Sequence, residues 1–163
     1  MNGDYLVLAG RIRSELEDIR RLVARSEKAW LAATKTNEDD YYVDAVALNL
    51  HGFYAGAERI FESIAQTMEH SVPDGANWHQ ELLRQMAMEI HGVRPPVITI
   101  GTRDMLGPYR GFRHVVRNVY TFNLDPEQIG VLVRRLPDVS ATLFVELEEF
   151  TRLLNELGNE SQS

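Results

Sequence analysis

Apolar residues recur at Tyr5, Leu8, Ile12, Leu16, Ile19, Val23 and Trp30, in steps of three and four that draw one stripe along a helix. Arginine and glutamate fill the positions between them, as on a solvated face. The pattern predicts a first helix from Asp4 to about Lys35, roughly 45 Å long, too long for a compact globule and suited to an elongated bundle. Turn formers and N-caps in Thr34–Asp40 end it. A second stripe, Val43, Val46, Leu50, Phe53, Ala57, Ile60, Phe61, Ile64 and Met68, predicts a helix from about Glu38 to Glu69. Val72-Pro-Asp-Gly-Ala76 marks a turn. A third, shorter helix is expected over Asn77–His91, with Trp78, Leu82 and Met86 inward and Gly92 as its C-terminal cap. Val93–Val97 is then extended, because its two prolines forbid helix. Only Val97–Ile100 shows strand-like alternation.

A fourth helix is expected from about Thr102 to Tyr120, with Gly107, Pro108 and Gly111 breaking or kinking its first part. The last helical region opens with Asp125 as N-cap, Pro126 at the first helical position and Gln128 at the capping-box position. Its inner face is Ile129, Leu132, Val133 and Leu136; Pro137 is expected to kink or restart it before Leu143, Leu147, Phe150, Leu154 and Leu157 carry it to Gly158. Residues 159–163 read as a frayed tail. No repeat or linker separates two domains. The expected fold is all-α, an elongated up-and-down helical bundle of four to five helices forming one domain over residues 1–158.

Composition narrows the function more than the fold. The absence of cysteine removes disulfides and thiolate metal sites and fits a cytoplasmic home. Charges within a few residues of Tyr5–Ala9 do not form a signal peptide, and no stretch approaches the roughly 18–20 apolar residues of a membrane span. The net charge of −7 argues against broad nonspecific nucleic-acid binding. It is unevenly spread, however: Gly101–Leu136 is +3 and the remainder −10, so a local basic patch can still hold a phosphate backbone.

That patch centres on Tyr109-Arg-Gly-Phe-Arg-His-Val-Val-Arg-Asn-Val-Tyr120. On a helix Arg113, Arg117 and Tyr120 share a stripe, with His114, Asn118 and Thr121 adjoining. Two guanidinium groups, an imidazole, an amide and a phenol are not natural core residues. Arginine offers a planar fork to phosphate oxygens, and histidine moves protons near neutral pH. The alternative has both arginines paired across the bundle with acids such as Glu58 or Glu62. On the second helix His51 and Glu58 share a face; they read as a polar lining opposite Arg113, with Glu58 orienting Arg113 or Arg117, rather than as a two-ligand metal site. Tyr54 is open between core and a dimer seam. His79 reads as a cap or surface residue, and His70 and His91 as helix-end residues.

The order Arg113-His114-(three residues)-Asn118-Val119-Tyr120 resembles the signature of HEPN ribonucleases: Arg, a polar residue, three residues, His and, in the HepT branch, one residue and Tyr. Leu50-His-Gly-Phe-Tyr-Ala-Gly-Ala-Glu-Arg-Ile-Phe61, Trp78-His79 with Leu82-Leu83, and Val93-Arg-Pro-Pro96 are similar to a HepT-like subfamily as well. The resemblance runs from the first helix to Leu157. It implies a homodimer, or a higher oligomer of dimers, whose two motif helices face each other across a cleft. It implies RNA cleavage without metal or cofactor, with Arg113 steadying the scissile phosphate and Arg117 and Arg110 as further phosphate-binding candidates. It also implies a minimal nucleotidyltransferase antitoxin that attaches AMP to Tyr120. Arg113, His114, Asn118 and Tyr120 are thus the candidate catalytic set. One position departs from the pattern. Asn118 stands where the catalytic His belongs, and an amide is neither acid nor base near neutral pH. Either His114, one turn earlier, takes over proton transfer, or the site binds RNA, nucleotide or the partner without cleaving. With no Gly-rich phosphate loop and no nucleophile elbow in this chain, nucleotidyl transfer would belong to another.

Overall fold

A computed structural model describes residues 2–35, 40–120 and 123–160. Five α-helices follow one another: α1 (Asn2–Lys35), α2 (Asp40–Ile64), α3 (Trp78–Met86), α4 (Ile100–Asn118) and α5 (Pro126–Asn159). A turn of π-helix, Ala65–Glu69, extends α2. No strand forms among the described residues; Val97–Ile100 is not one, and the single β-bridge joins Ile90 to Arg94.

The stripes become the core. Leu8, Ile12, Leu16 and Ile19 of α1 are buried against Leu50, Phe53, Ala57 and Phe61 of α2 and Leu136, Leu143, Leu147 and Leu154 of α5, in one continuous cluster. Small residues let the long helices close up. A Cβ on Gly56 would sit 2.8 Å from Ile19, and one on Gly158 would sit 2.6 Å from Leu6. Arg59 reaches Glu15 at 2.7 Å and Arg20 pairs with Glu148. These registers make α1 antiparallel to both α2 and α5. No described helix is long and apolar enough to cross a membrane.

Four boundaries depart from the sequence expectations. The fourth and fifth helices run unbroken through Pro108 and Pro137, so neither helix breaks or restarts there. A helix-interior proline costs about 3 kcal/mol. Each lies within a buried face (Leu106, Tyr109 and Phe112; Leu136, Val139 and Leu143) that would be exposed by a break. The third helix stops at Met86 rather than His91, because its last carbonyls are taken by the chain that follows. Val97 N–H donates to Met86 O at 2.9 Å, and the Arg94 guanidinium donates to Gln85 O at 3.1 Å and Met88 O at 2.8 Å. Gly92 does adopt a left-handed φ of 74°, but inside the turn that returns Ile90 to Arg94 rather than at a helix cap. The fourth helix ends at Asn118, two residues before Tyr120. Most of the expected Thr34–Asp40 break, Thr121 and the last three residues of the tail lie outside the described residues. Asp125 caps α5 as expected, accepting from Glu127 N–H at 3.0 Å.

Candidate functional site at the end of the fourth helix

α4 is fastened at its start and middle. Thr99 caps it by accepting from Thr102 N–H at 3.1 Å, the Thr102 hydroxyl donates to Glu146 of α5, and the buried Tyr109 hydroxyl donates to Leu132 O at 2.6 Å. Tyr109 also packs edge-on against Phe53, ring centroids 5.4 Å apart. These contacts fix the helix rotation, so its last two turns present Arg110, Arg113, His114, Arg117 and Asn118 to one open concavity of about 450 Å³, completed by Ala76, Asn77, His79 and Gln80. No carboxylate among the described residues lines it.

A buried acid stands behind the wall. Glu58 on α2 is only 2% exposed, a position a carboxylate keeps only when paired. Its Oε1 lies 3.2 Å from Arg113 Nη1, and its Oε2 accepts from His79 Nδ1 at 2.7 Å. Arg113 Nη1 also approaches both ring nitrogens of His79, at 3.1 and 3.4 Å. Those nitrogens point in divergent directions, so the guanidinium lies against the ring rather than along both lone pairs. Trp78 stacks on the same imidazole, centroids 3.6 Å apart. Three helices thus hold Glu58, His79 and Arg113 as one cluster. Arg113 Nε is buried without a hydrogen-bond partner among the described residues.

His51 faces this cluster from α2, with its Nδ1 buried and unpartnered. Burial, then the positive charges of Arg113 and Arg117, hold its pKa below the usual 6.5. Tyr54 is fully buried, which removes it from any seam at the surface. Its hydroxyl has no hydrogen-bond partner among the described residues, and burial together with the Glu58 charge raises its pKa.

The structure therefore brings Arg113, His114, Arg117, Asn118 and Arg110 together, with Glu58 behind them and His51 beside them. The pairing of Arg113 with Glu58 is the cross-bundle ion pair that the sequence left open; Arg117 and Arg110 pair with no carboxylate among the described residues. Because Glu58 is engaged by Arg113 and His79, it is not free to ligate a metal with His51, and no group of three or more metal-ligating side chains exists among the described residues. Asn118 donates to the carbonyl of His114 at 2.7 Å, an interaction within its own helix. Tyr120 is 73% exposed and follows an extended Val119, so helical spacing does not place it on the Arg113 stripe, and it does not line the concavity. His79 was missed as a site residue. Its partners lie 21 and 34 positions away, and periodicity within one helix carries no information about them.

The family model described as HepT-like protein matches residues 45–154. No curated protein and no solved structure matches. The matched segment covers about two thirds of the chain and contains Glu58, His79, Arg113 and every other residue lining the concavity. On this match, with an all-helical fold to carry it, the chain belongs to the HepT-like family, which is related to the HEPN proteins.

Proposed function

We propose that the protein is a HepT-like toxin, a metal-independent endoribonuclease acting at the concavity lined by Arg110, Arg113 and Arg117. One observation carries the reading. In a chain of net charge −7, three arginines and two histidines converge on one open surface with no acid of the described residues on it. Such a surface attracts a polyanion locally while the rest of the molecule repels it. Arg113 contacts the scissile phosphate, and Arg110 and Arg117 hold flanking phosphates. Two copies of α4 meet as a homodimer so that the paired sites share a groove. A nucleotidyltransferase partner silences the site by placing AMP on Tyr120, whose exposure suits an enzyme-delivered modification. The reading treats residues 1–158 as one domain working in the cytoplasm.

Asn118 favours a second reading, a module that binds RNA or the partner without cutting it, because its amide is turned back onto its own helix. Growth and RNA cleavage separate the two. Induction of the wild-type chain should arrest growth, and the purified protein should cut single-stranded RNA in the presence of a metal chelator. Arg113→Ala should abolish both, a loss of about 10²–10³-fold in cleavage for one transition-state cation. Wild-type protein that binds RNA through Arg113 but leaves it intact would establish the module instead.

A further inference from the structure

We infer that His79, oriented by Glu58, supplies the proton transfer that Asn118 cannot. The inference rests on the ribonuclease reading above and assigns the base within that same site. Two histidines line the concavity, and they differ in how they are held. His114 is exposed, and its Nδ1 faces only the Asn118 amide, at 3.4 Å. His79 is gripped on three sides: its Nδ1 donates to a buried carboxylate at 2.7 Å, Trp78 stacks on its ring, and the Arg113 guanidinium rests against it. A carboxylate on Nδ1 fixes the tautomer that leaves the lone pair on Nε2 and stabilises the imidazolium once it forms. The side chain remains a quarter exposed.

The chemistry balances without a co-reactant. Nε2 of His79 takes the proton of a ribose 2′-hydroxyl, and the 2′-oxygen forms its bond to phosphorus. The bond from phosphorus to the 5′-oxygen breaks, and that oxygen takes a proton from solvent. The imidazolium then returns its own proton to solvent, leaving a 2′,3′-cyclic phosphate and a 5′-hydroxyl end. Before the step, the cluster of Glu58, Arg113 and neutral His79 carries no net charge. During it the cluster becomes cationic, beside the phosphate on which negative charge grows. Glu58 acts through His79 and is a positioning residue.

The test uses the purified full chain with a fluorophore-labelled mixed-sequence single-stranded RNA, reading cleavage rate across pH, RNA binding by anisotropy and folding by thermal melt. His79→Ala is expected to lose about 10²–10⁴-fold in rate with RNA affinity kept, and free imidazole is expected to restore part of the rate. His114→Ala is expected to lose less than His79→Ala does. Glu58→Gln shifts the pH profile as well as lowering the rate. If His79→Ala does not fold, His79→Gln, which retains a donor for Glu58, is expected to fold and still not cleave. Near-wild-type cleavage by His79→Ala or His79→Gln, with Arg113→Ala inactive, would overturn this assignment and leave the nuclease standing. So would a loss that imidazole does not restore and that tracks a lowered melting temperature. A wild-type chain that cuts no RNA overturns both.

Discussion

Glu58 and Glu69 lie eleven residues apart on α2 and its π-helical extension, and each holds an arginine. Arg94, on Glu69, is completely enclosed, with a side-chain exposure of 0%. Its two terminal nitrogens make four hydrogen bonds: to Glu69 at 2.7 Å, Gln85 O at 3.1 Å, Met88 O at 2.8 Å and Pro95 O at 3.0 Å. Arg113, on Glu58, is 18% exposed and meets its partners through Nη1 alone; its Nη2 makes no hydrogen bond among the described residues. The two pairs share their chemistry and differ in what is left over. An arginine whose terminal donors are spent on carbonyls is a clasp, and this one ties the loop before α4 to the end of α2. An arginine held by one nitrogen at the wall of an open concavity keeps a planar edge for an incoming anion.

The largest expected effect comes from breaking the clasp. Arg94→Met leaves Glu69 buried without its cation, and removal of one partner from a buried pair costs about 3–5 kcal/mol. Arg113→Met should cost less, about 1–3 kcal/mol, because His79 still donates to Glu58. Urea unfolding of the two variants measures the difference. Equal losses would erase the distinction between clasp and site.

Next in size is the response to ligand. A 2′-O-methyl oligoribonucleotide offers the phosphates of RNA but no 2′-hydroxyl proton, so it binds without reacting. At a hundredfold excess over its Kd it should stabilise the wild-type fold by about 2.7 kcal/mol, read as a rise in melting temperature. The rise should fall steeply with added salt and be lost in Arg113→Met. A rise of the same size in that variant would place the anion elsewhere.

The same contrast explains what the sequence could tell. α1 and α2 were legible because their stripes are long and their packing is repetitive: Leu8 to Val23 and Val46 to Ile64 are buried where three-and-four spacing puts them. Arg113, Arg117, His114 and Asn118 were legible because they are neighbours on one helix. His79 and Arg94 were not, because each takes its meaning from partners on other elements. Arg94, in a Pro-rich loop, carries no periodicity at all, and its burial follows from a carboxylate 25 positions earlier. The break or restart that the prolines allowed fails for a related reason. Pro108 and Pro137 carry a real local cost, but the faces on either side are buried against other helices, and that gain is invisible in the local chain.

The smallest expected effect is also the finest probe of how far Glu58 is neutralised. Glu62 sits one turn beyond Glu58, and its pKa is raised above the ordinary 4.5, first by burial and then by the Glu58 charge; His79, Arg113 and Arg59 oppose the rise. A clasp as tight as that on Glu69 would leave little negative charge for Glu62 to feel. Carboxyl NMR titration should therefore find Glu62 above 4.5 in the wild type, higher in Arg113→Met, lower in Glu58→Gln and unmoved in Arg94→Met. The sign of the stability effect follows by linkage. A carboxyl whose folded pKa exceeds its unfolded value holds its proton longer in the folded chain, so its contribution is present below pH 4.5 and is lost as pH rises through the folded pKa. Glu62→Gln should then stabilise the fold slightly at neutral pH and have no effect below pH 4.5. A Glu62 that ignores both Arg113 and Glu58 would mean that the ion pair is self-contained, and that the edge of Arg113 facing the concavity is structural after all.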